Sequence, residues 1–355
     1  MRHWKKALFG LIVTILLLWW ALGDVSFGEV WNQIRAGDLW LLAASVTVAT
    51  LGFYIRALRW DVLLRPVAPN TRTGSRFAAV SIGFMANNLL PARVGEFARA
   101  YAFSRMERVT ASAAFGTLVV ERLLDGIVLL AFLVLPLLTP GFPATGALEG
   151  GWGGAILRAA VVAVVGISTI VFVMAVWPRR FVAVATSIAA RFPGDAARRV
   201  VASLEAFLES LAILRNPRLL ALALGWSLLF WTWHGVSFWL GMLAFDIDTG
   251  FISALFTEAV VGFGVAIPSA PGFFGTFHAA ALFAASSVYG VDEARALAFA
   301  FGYHFGGWLP ITVIGLWYSW KLGLSLGDVG AAEERVERAI EAEHPDGPAV
   351  LGDAG

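Results

Sequence analysis

Pro91-Ala-Arg-Val-Gly95-Glu-Phe97 and Pro271-Gly-Phe-Phe-Gly275-Thr-Phe277 share the form P-x-x-x-G-x-F at an offset of 180 positions. Ala100 and Ala280 match at the same offset. Each motif interrupts an apolar stretch, near 77–105 and near 251–290, with proline and glycine. The same shift carries the apolar run 39–58 onto 219–238, and 113–138 onto 293–318. The unit is therefore a span, a broken segment and a second span, and it occurs twice.

The surrounding composition places this unit in lipid. Of 355 residues, 59% are hydrophobic and 14% charged, and mean hydropathy is +0.75. Soluble domains average about 45–50% apolar and about 25% charged. The absence of cysteine removes thiolate zinc sites, iron–sulfur clusters and thiol nucleophiles. A net charge of +1 gives no field for nucleic acid.

A spanning helix needs about 20 apolar residues. Six runs qualify, at 6–22, 39–58, 113–138, 155–177, 219–243 and 294–320. The first follows Arg2, Lys5 and Lys6 and ends in Trp19-Trp20, an interfacial pair that suits an uncleaved anchor. Arginine marks the cytoplasmic side: Arg59, Arg65, Arg72 and Arg76 in one loop, and Arg179, Arg180, Arg191, Arg198 and Arg199 in another. The loops holding Glu29 and Asp38, Glu149, and Asp246 and Asp248 fall outside. These signs alternate only if both broken stretches return to the side they left, so each reads as a re-entrant hairpin. The expected fold is an all-α integral membrane protein with about six spanning helices and two re-entrant hairpins. They form an inverted repeat, with both termini cytoplasmic. A membrane domain covers 1–325, with repeat 1 at about 39–138 and repeat 2 at about 219–320. Amphipathic helices at about 179–216 (Val201, Leu204, Leu208, Leu211) lie on the cytoplasmic face. The acidic tail 326–355 is partly disordered.

Backbone turning inside a bilayer leaves polar groups that lipid cannot satisfy, so such turns line protein or a wet cavity. Ionisable side chains at that depth are functional candidates. Arg93, Glu96 and Arg99 follow the first tip at intervals of three, on one helical face. Glu121, Arg122 and Asp125 lie in the third span. Grouped, they offer three arginines and three carboxylates around one cavity. One reading is an anion site, because guanidinium forks fit phosphate oxygens. The other is a self-satisfied ion-pair network pinning the hairpin. Asn87 and Asn88 precede the turn, either as caps for freed backbone or as ligand contacts. Pro91, Gly95, Pro271, Gly272 and Gly275 shape the tips. In the second copy Glu258, His234, His278 and His304 are the polar groups at depth. With Glu121 and Asp125 they are the candidates for proton coupling. No two of these histidines stand at i, i+4, so no metal site and no cofactor is expected. The chain holds no G-x-x-x-x-G-K-[ST] and no H-E-x-x-H.

Four motifs carry a family resemblance: Arg56-Ala-Leu-Arg59-Trp60, Asn88-Leu-Leu-Pro91-Ala-Arg93-Val-Gly95-Glu96, Glu121-Arg122-Leu-Leu-Asp125, and Pro268-Ser-Ala-Pro271-Gly272-Phe-Phe-Gly275. In this order they resemble the lysylphosphatidylglycerol synthase transmembrane-region family, also called flippase-like. The resemblance implies a cell-membrane protein handling lipids, in some members the translocation of an aminoacylated phospholipid or a polyprenyl- or dolichol-linked precursor. It makes Arg93, Glu96, Glu121, Arg122 and Asp125 core motif positions. Bifunctional members continue into a soluble aminoacyl-transferase domain; here about 35 residues follow the last span, so aminoacyl transfer is not carried over.

The expected function is a lipid transporter or flippase rather than an enzyme. Its partner is a membrane lipid with a phosphate-bearing head group, not nucleic acid, and a homo-oligomer is compatible with the sequence. A small-anion secondary transporter, an intramembrane enzyme and an accessory subunit of a lipid-modifying complex are the alternatives.

Overall fold

The computed structural model describes residues 3–23, 25–139, 142, 176–189, 191, 211–267 and 269–336, with Val201, Leu208 and scattered positions between 162 and 174. Among the described residues all regular structure is helical. The helices are α1 His3–Leu22, α2 Phe27–Ala36, α3 Leu39–Leu64, α4 Thr73–Leu89, α5 Gly95–Met106, α6 Ala111–Val134, α7 Pro178–Ala189, α8 Pro217–Leu243, α9 Phe251–Gly264, α10 Thr276–Leu282, α11 Glu293–Lys321 and α12 Leu326–Gly330. More than half of the expected span at 155–177 falls outside these residues. So do most of 190–210 and the tail beyond 336.

Local chemistry sets the ends. Asp38 Oδ1 accepts from the amides of Trp40 (2.8 Å) and Leu41 (3.1 Å), Thr110 Oγ1 from Ala113, and Asn216 Oδ1 from Arg218 and Leu219. These side chains satisfy amides that a helix N-terminus leaves open. α3, α8 and α11 are long and apolar enough to cross a membrane. The 26 residues of α3 make about 39 Å against a hydrocarbon core of about 30 Å. The α1–α2 pair, bent by 81°, could count as a fourth crossing. α6 has the length but carries Glu121, Arg122 and Asp125.

Both broken stretches fold as helix, tight turn, helix. α4 and α5 flank a 3-10 turn at Pro91–Arg93, and α9 and α10 flank another at Pro271–Phe273. Arg93 (φ 56°) and Phe273 (φ 61°), 180 positions apart, both adopt the left-handed region. The arms of each hairpin approach through glycine. A Cβ on Gly83 would lie 2.8 Å from the Gly95 carbonyl oxygen, and one on Gly264 would lie 2.6 Å from Ala280 Cβ. The two tips touch: a Cβ on Gly272 would stand 3.3 Å from the Asn88 carbonyl oxygen and 2.9 Å from the Trp308 indole nitrogen. α1 braces the second tip. Thr14 Oγ1 donates to the Phe274 carbonyl and accepts from the Ala270 amide, each at 2.9 Å.

The helices on either side of the two turns interlock. α3 packs on its counterpart α8, where Ser45 and Ser237 each donate to the other's carbonyl (2.7 and 2.9 Å). α4 of the first copy packs on α11 of the second. A Cβ on Gly315 would fall 2.3 Å from Met85 Cβ and 2.4 Å from the Ser81 carbonyl oxygen. Small residues permit such approach, which is how helices associate where hydrophobic driving force is weak.

Gly315→Leu is therefore expected to cost about 3 kcal/mol of stability or prevent accumulation of folded protein. Gly225→Leu, at an exposed site with no atom within 4 Å of the added Cβ, should melt like the parent chain. Thermal unfolding of the detergent-purified proteins, followed by helical circular dichroism, checks both.

Candidate functional site

The polar centre is built on α6, where Glu121 is fully buried and Asp125 nearly so. Four arginines from three helices converge on these two carboxylates. From α3, Arg56 reaches Glu121 (2.8 Å) and Asp125 (3.6 Å), while Arg59 reaches Glu121 (3.0 Å) and pairs closely with Asp125. From α5, Arg99 clasps Glu121 with both terminal nitrogens at 2.9 Å. From α6 itself, Arg122 contacts Glu121 (2.6 Å) and Asp125 (3.2 Å). α8 closes the cluster: the Trp231 indole donates to Asp125 (2.8 Å), and Ser227 Oγ accepts from Arg59 (3.2 Å). Aromatic faces cover the guanidinium planes, Trp60 under Arg99 at 3.9 Å and Phe230 under Arg56 at 4.3 Å. Arg56, Arg59 and Arg99 are buried, whereas the Arg122 side chain is 43% exposed.

This centre carries two positive charges in excess of its carboxylates. Burying unpaired charge costs several kcal/mol per ion, so the arrangement favours an arriving anion. The Nε atoms of Arg56, Arg59 and Arg99 make no hydrogen bond.

Arg99, Glu121, Arg122 and Asp125 thus meet as the sequence suggests. Arg93 goes elsewhere. Its guanidinium donates to the carbonyls of Ala266 (2.7 Å) and Val265 and lies 5.1 Å from the Phe273 ring, binding the first tip to the second hairpin. Glu96 makes no ion pair among the described residues. Asn87 Oδ1 accepts from the Gly95 amide (2.8 Å), the capping role. Asn88 donates to Thr312 Oγ1 (2.7 Å). Pro91 and Pro271 open their turns, while Gly272 (φ 72°) and Gly275 (φ 86°) take backbone forms that side chains resist.

A second polar group lies beside a cavity of about 190 Å³ between α3, α4, α8, α9 and α11. His234 Nδ1 and Glu258 Oε1 are 2.7 Å apart there. His304 lines the same cavity. His278 sits behind it, 5.1 Å ring to ring from His304, with its Nδ1 accepting weakly from the Gly275 amide (3.4 Å). Among the described residues no three His, Asp or Glu side chains form a metal-binding group.

The sequence profile described as the lysylphosphatidylglycerol synthase TM region matches residues 7–315. The chain belongs to that family. A protein named glycosyltransferase AglD of Haloferax volcanii is 25% identical over 82% of this chain and 50% of its own. UPF0104 membrane proteins of Pyrococcus horikoshii and Methanothermobacter thermautotrophicus are 26% and 25% identical over 39% and 35% of this chain, and 41% and 37% of theirs. The chain spans about half the length, or less, of the curated relatives it matches. No solved structure matches it significantly.

Residue-level reading assigns Arg59 to a loop and does not single out Arg56 within its span, although both stand in a family motif. Arg59 reads as a loop charge, yet α3 continues to Leu64 and Arg59 is fully buried. Val62, Leu63 and Leu64, apolar beyond the arginines, were the available signal. Arg76, also read as a loop charge, is buried on α4 and holds the Ala57 carbonyl (3.0 Å) and Asp61 (2.8 Å).

Glu121→Gln leaves four guanidinium groups sharing one carboxylate, and should cost about 3–5 kcal/mol or abolish folding. Arg122→Ala, at the half-exposed edge, should cost about 1 kcal/mol or less. Urea or thermal unfolding in detergent reads both values.

Proposed function

We propose that this family member moves a phosphate-bearing lipid across the cell membrane, crossing it several times, with the head group held at the α3–α5–α6 arginines. The observation that carries the reading is the excess of guanidinium over carboxylate in a buried, aromatic-walled centre. A phosphodiester offsets one of the two excess charges and a phosphomonoester nearly both, and each matches the guanidinium fork. A lipid suits the site better than a hydrated small anion, because the adjoining cavity is walled by Phe53, Phe84, Phe238, Val261, Phe277 and Ile311. The word glycosyltransferase in the Haloferax volcanii relative's name adds sugar-bearing head groups to the candidates.

The repeated hairpins, with left-handed residues at matching positions, support an inverted repeat. Wholesale rocking of two halves fits the packing poorly, since α3–α8 and α4–α11 interlock across the copies. The hairpin tips are the better moving parts. Arg93 joins them through carbonyl contacts that can break without opening an apolar interface. Glu121 and Asp125 hold the arginines in place and keep the site folded.

Native mass spectrometry of the purified protein should retain a phosphate-bearing lipid that Arg122→Ala loses. In vesicles, wild type should accelerate flip of that lipid, with Arg122→Ala slower by about tenfold or more and unchanged in melting. Arg93→Ala should retain the lipid yet fail to flip it. Full flip by both variants would remove the site from transport, and retention of the same bulk lipid by wild type and Arg122→Ala would remove it from binding.

A further inference from the structure

Glu258 is 1% exposed, on the α9 arm of the second hairpin. One carboxyl oxygen meets His234 Nδ1 at 2.7 Å, and the other, Oε2, has no hydrogen-bond partner. No arginine or lysine among the described residues pairs with it. Gly235 leaves it room: a Cβ there would lie 3.1 Å from Oε2. The His234 side chain is 25% exposed, and both residues line the cavity between the hairpins. The pair therefore has an open end at the imidazole and a closed end at an unsatisfied carboxyl oxygen. Buried polar atoms are almost always satisfied, and an unpartnered oxygen is less costly as the carbonyl of a neutral acid than as half of a carboxylate.

Aromatic rings separate the pair from the arginine centre. Phe230 lies between them, 4.3 Å from the Arg56 guanidinium on one side and 6.0 Å, stacked, from the His234 ring on the other. Trp231 donates to Asp125 and sets its ring edge-on to His234 at 5.9 Å. The ionisable groups facing the pair are Arg56 from α3, Asp125 from α6 through Trp231, and Tyr303 and His304 from α11, with His278 of α10 behind His304. α9 itself supplies Glu258.

We propose that the Glu258–His234 pair is a proton-binding site linked to the arginine centre, so that an anionic head group and one proton enter together. This deepens the function proposed above and rests on it for the linkage. A proton carried by cavity water joins the imidazole as the proton on Nδ1 passes to Oε1, 2.7 Å away, leaving a neutral imidazole and a neutral acid; nothing is oxidised or reduced. With the arginine centre empty, its excess positive charge favours the Glu258 carboxylate. A bound phosphate lowers that charge and favours the acid. Linkage is reciprocal, so a protonated pair binds the anion more tightly by the same factor.

Two measurements test this. Infrared difference spectra of detergent-purified protein, stepped across neutral pH above the range of exposed carboxylates, should show a buried carboxylic-acid C=O band. Glu258→Gln, which preserves shape, should lack it. No such band in wild type, or the same band in the variant, overturns the proton site, whatever the lipid results. Short-chain phosphatidylglycerol added to weakly buffered protein should then draw about one proton per chain into wild type and none into Glu258→Gln. Lipid binding to wild type without proton uptake overturns the linkage. If the band is present but the lipid does not bind, the proton site stands and the lipid reading fails.

Discussion

Two carboxylates on one face of α6 hold the core of this protein together. Glu121 and Asp125 stand one helical turn apart, and four guanidinium groups from α3, α5 and α6 converge on them. Everything nearby follows from keeping that charge out of hydrocarbon. α3 must bring Arg56 and Arg59 to the same depth, which it does at a spacing of three residues. The first hairpin must return close enough for Arg99 to clasp Glu121, which it does through the Gly83–Gly95 approach. α8 must offer donors and aromatic faces along one stripe, and Ser227, Phe230, Trp231, His234 and Ser237 recur at helical spacing to do so. Such a centre stabilises the fold less than apolar packing would, because desolvation offsets the Coulomb gain. Its unbalanced charge argues for a use.

A second constraint acts on the backbone. Chain that turns within an apolar medium needs internal partners for its amides and carbonyls. Each tip here is answered by side chains: Asn87 for the Gly95 amide, Arg93 for the carbonyls ending α9, and Thr14 for both sides of the second turn. Arg93, the cation expected at the ligand, is thus spent on the neighbouring hairpin's open carbonyls. Its left-handed backbone aims it there rather than along the face it would share with Arg99.

That divergence marks the limit of what the sequence makes legible. Apolar runs and the P-x-x-x-G-x-F pair are local patterns, and they locate α3, α8, α11 and the two tips. Glu121 and Asp125 at i, i+4 predict a shared face, and they have one. Arg93, Glu96 and Arg99 satisfy the same rule on paper, but the rule assumes continuous helix, and α5 starts only at Gly95. Arg59 and Arg76 look like loop charges because a hydropathy window ends where charge begins. Whether the next residues continue a buried helix depends on what packs there, which only the assembled bundle decides. The His234–Glu258 pair joins α8 to α9 across 24 positions, a distance no periodicity encodes.

The packing also limits what can move. Where α3 meets α8 and α4 meets α11, glycine and serine bring backbones into direct contact, and shifting them would drive side chains into main-chain atoms. The joint between the tips is different. It rests on Arg93, Thr14 and Asn88 through hydrogen bonds, and beside it lies the cavity of about 190 Å³ with the orphaned Glu258 oxygen, Trp308 indole and His304 nitrogen. Hydrogen bonds exchanged for other hydrogen bonds, or for a ligand's, change free energy little. A bistable element is therefore available at the tips and absent from the helix crossings. The arginine centre lies on one side of that joint, through Arg99, and the Glu258 pair on the other, through α9, so under the proposed function a change in either would bias the same joint.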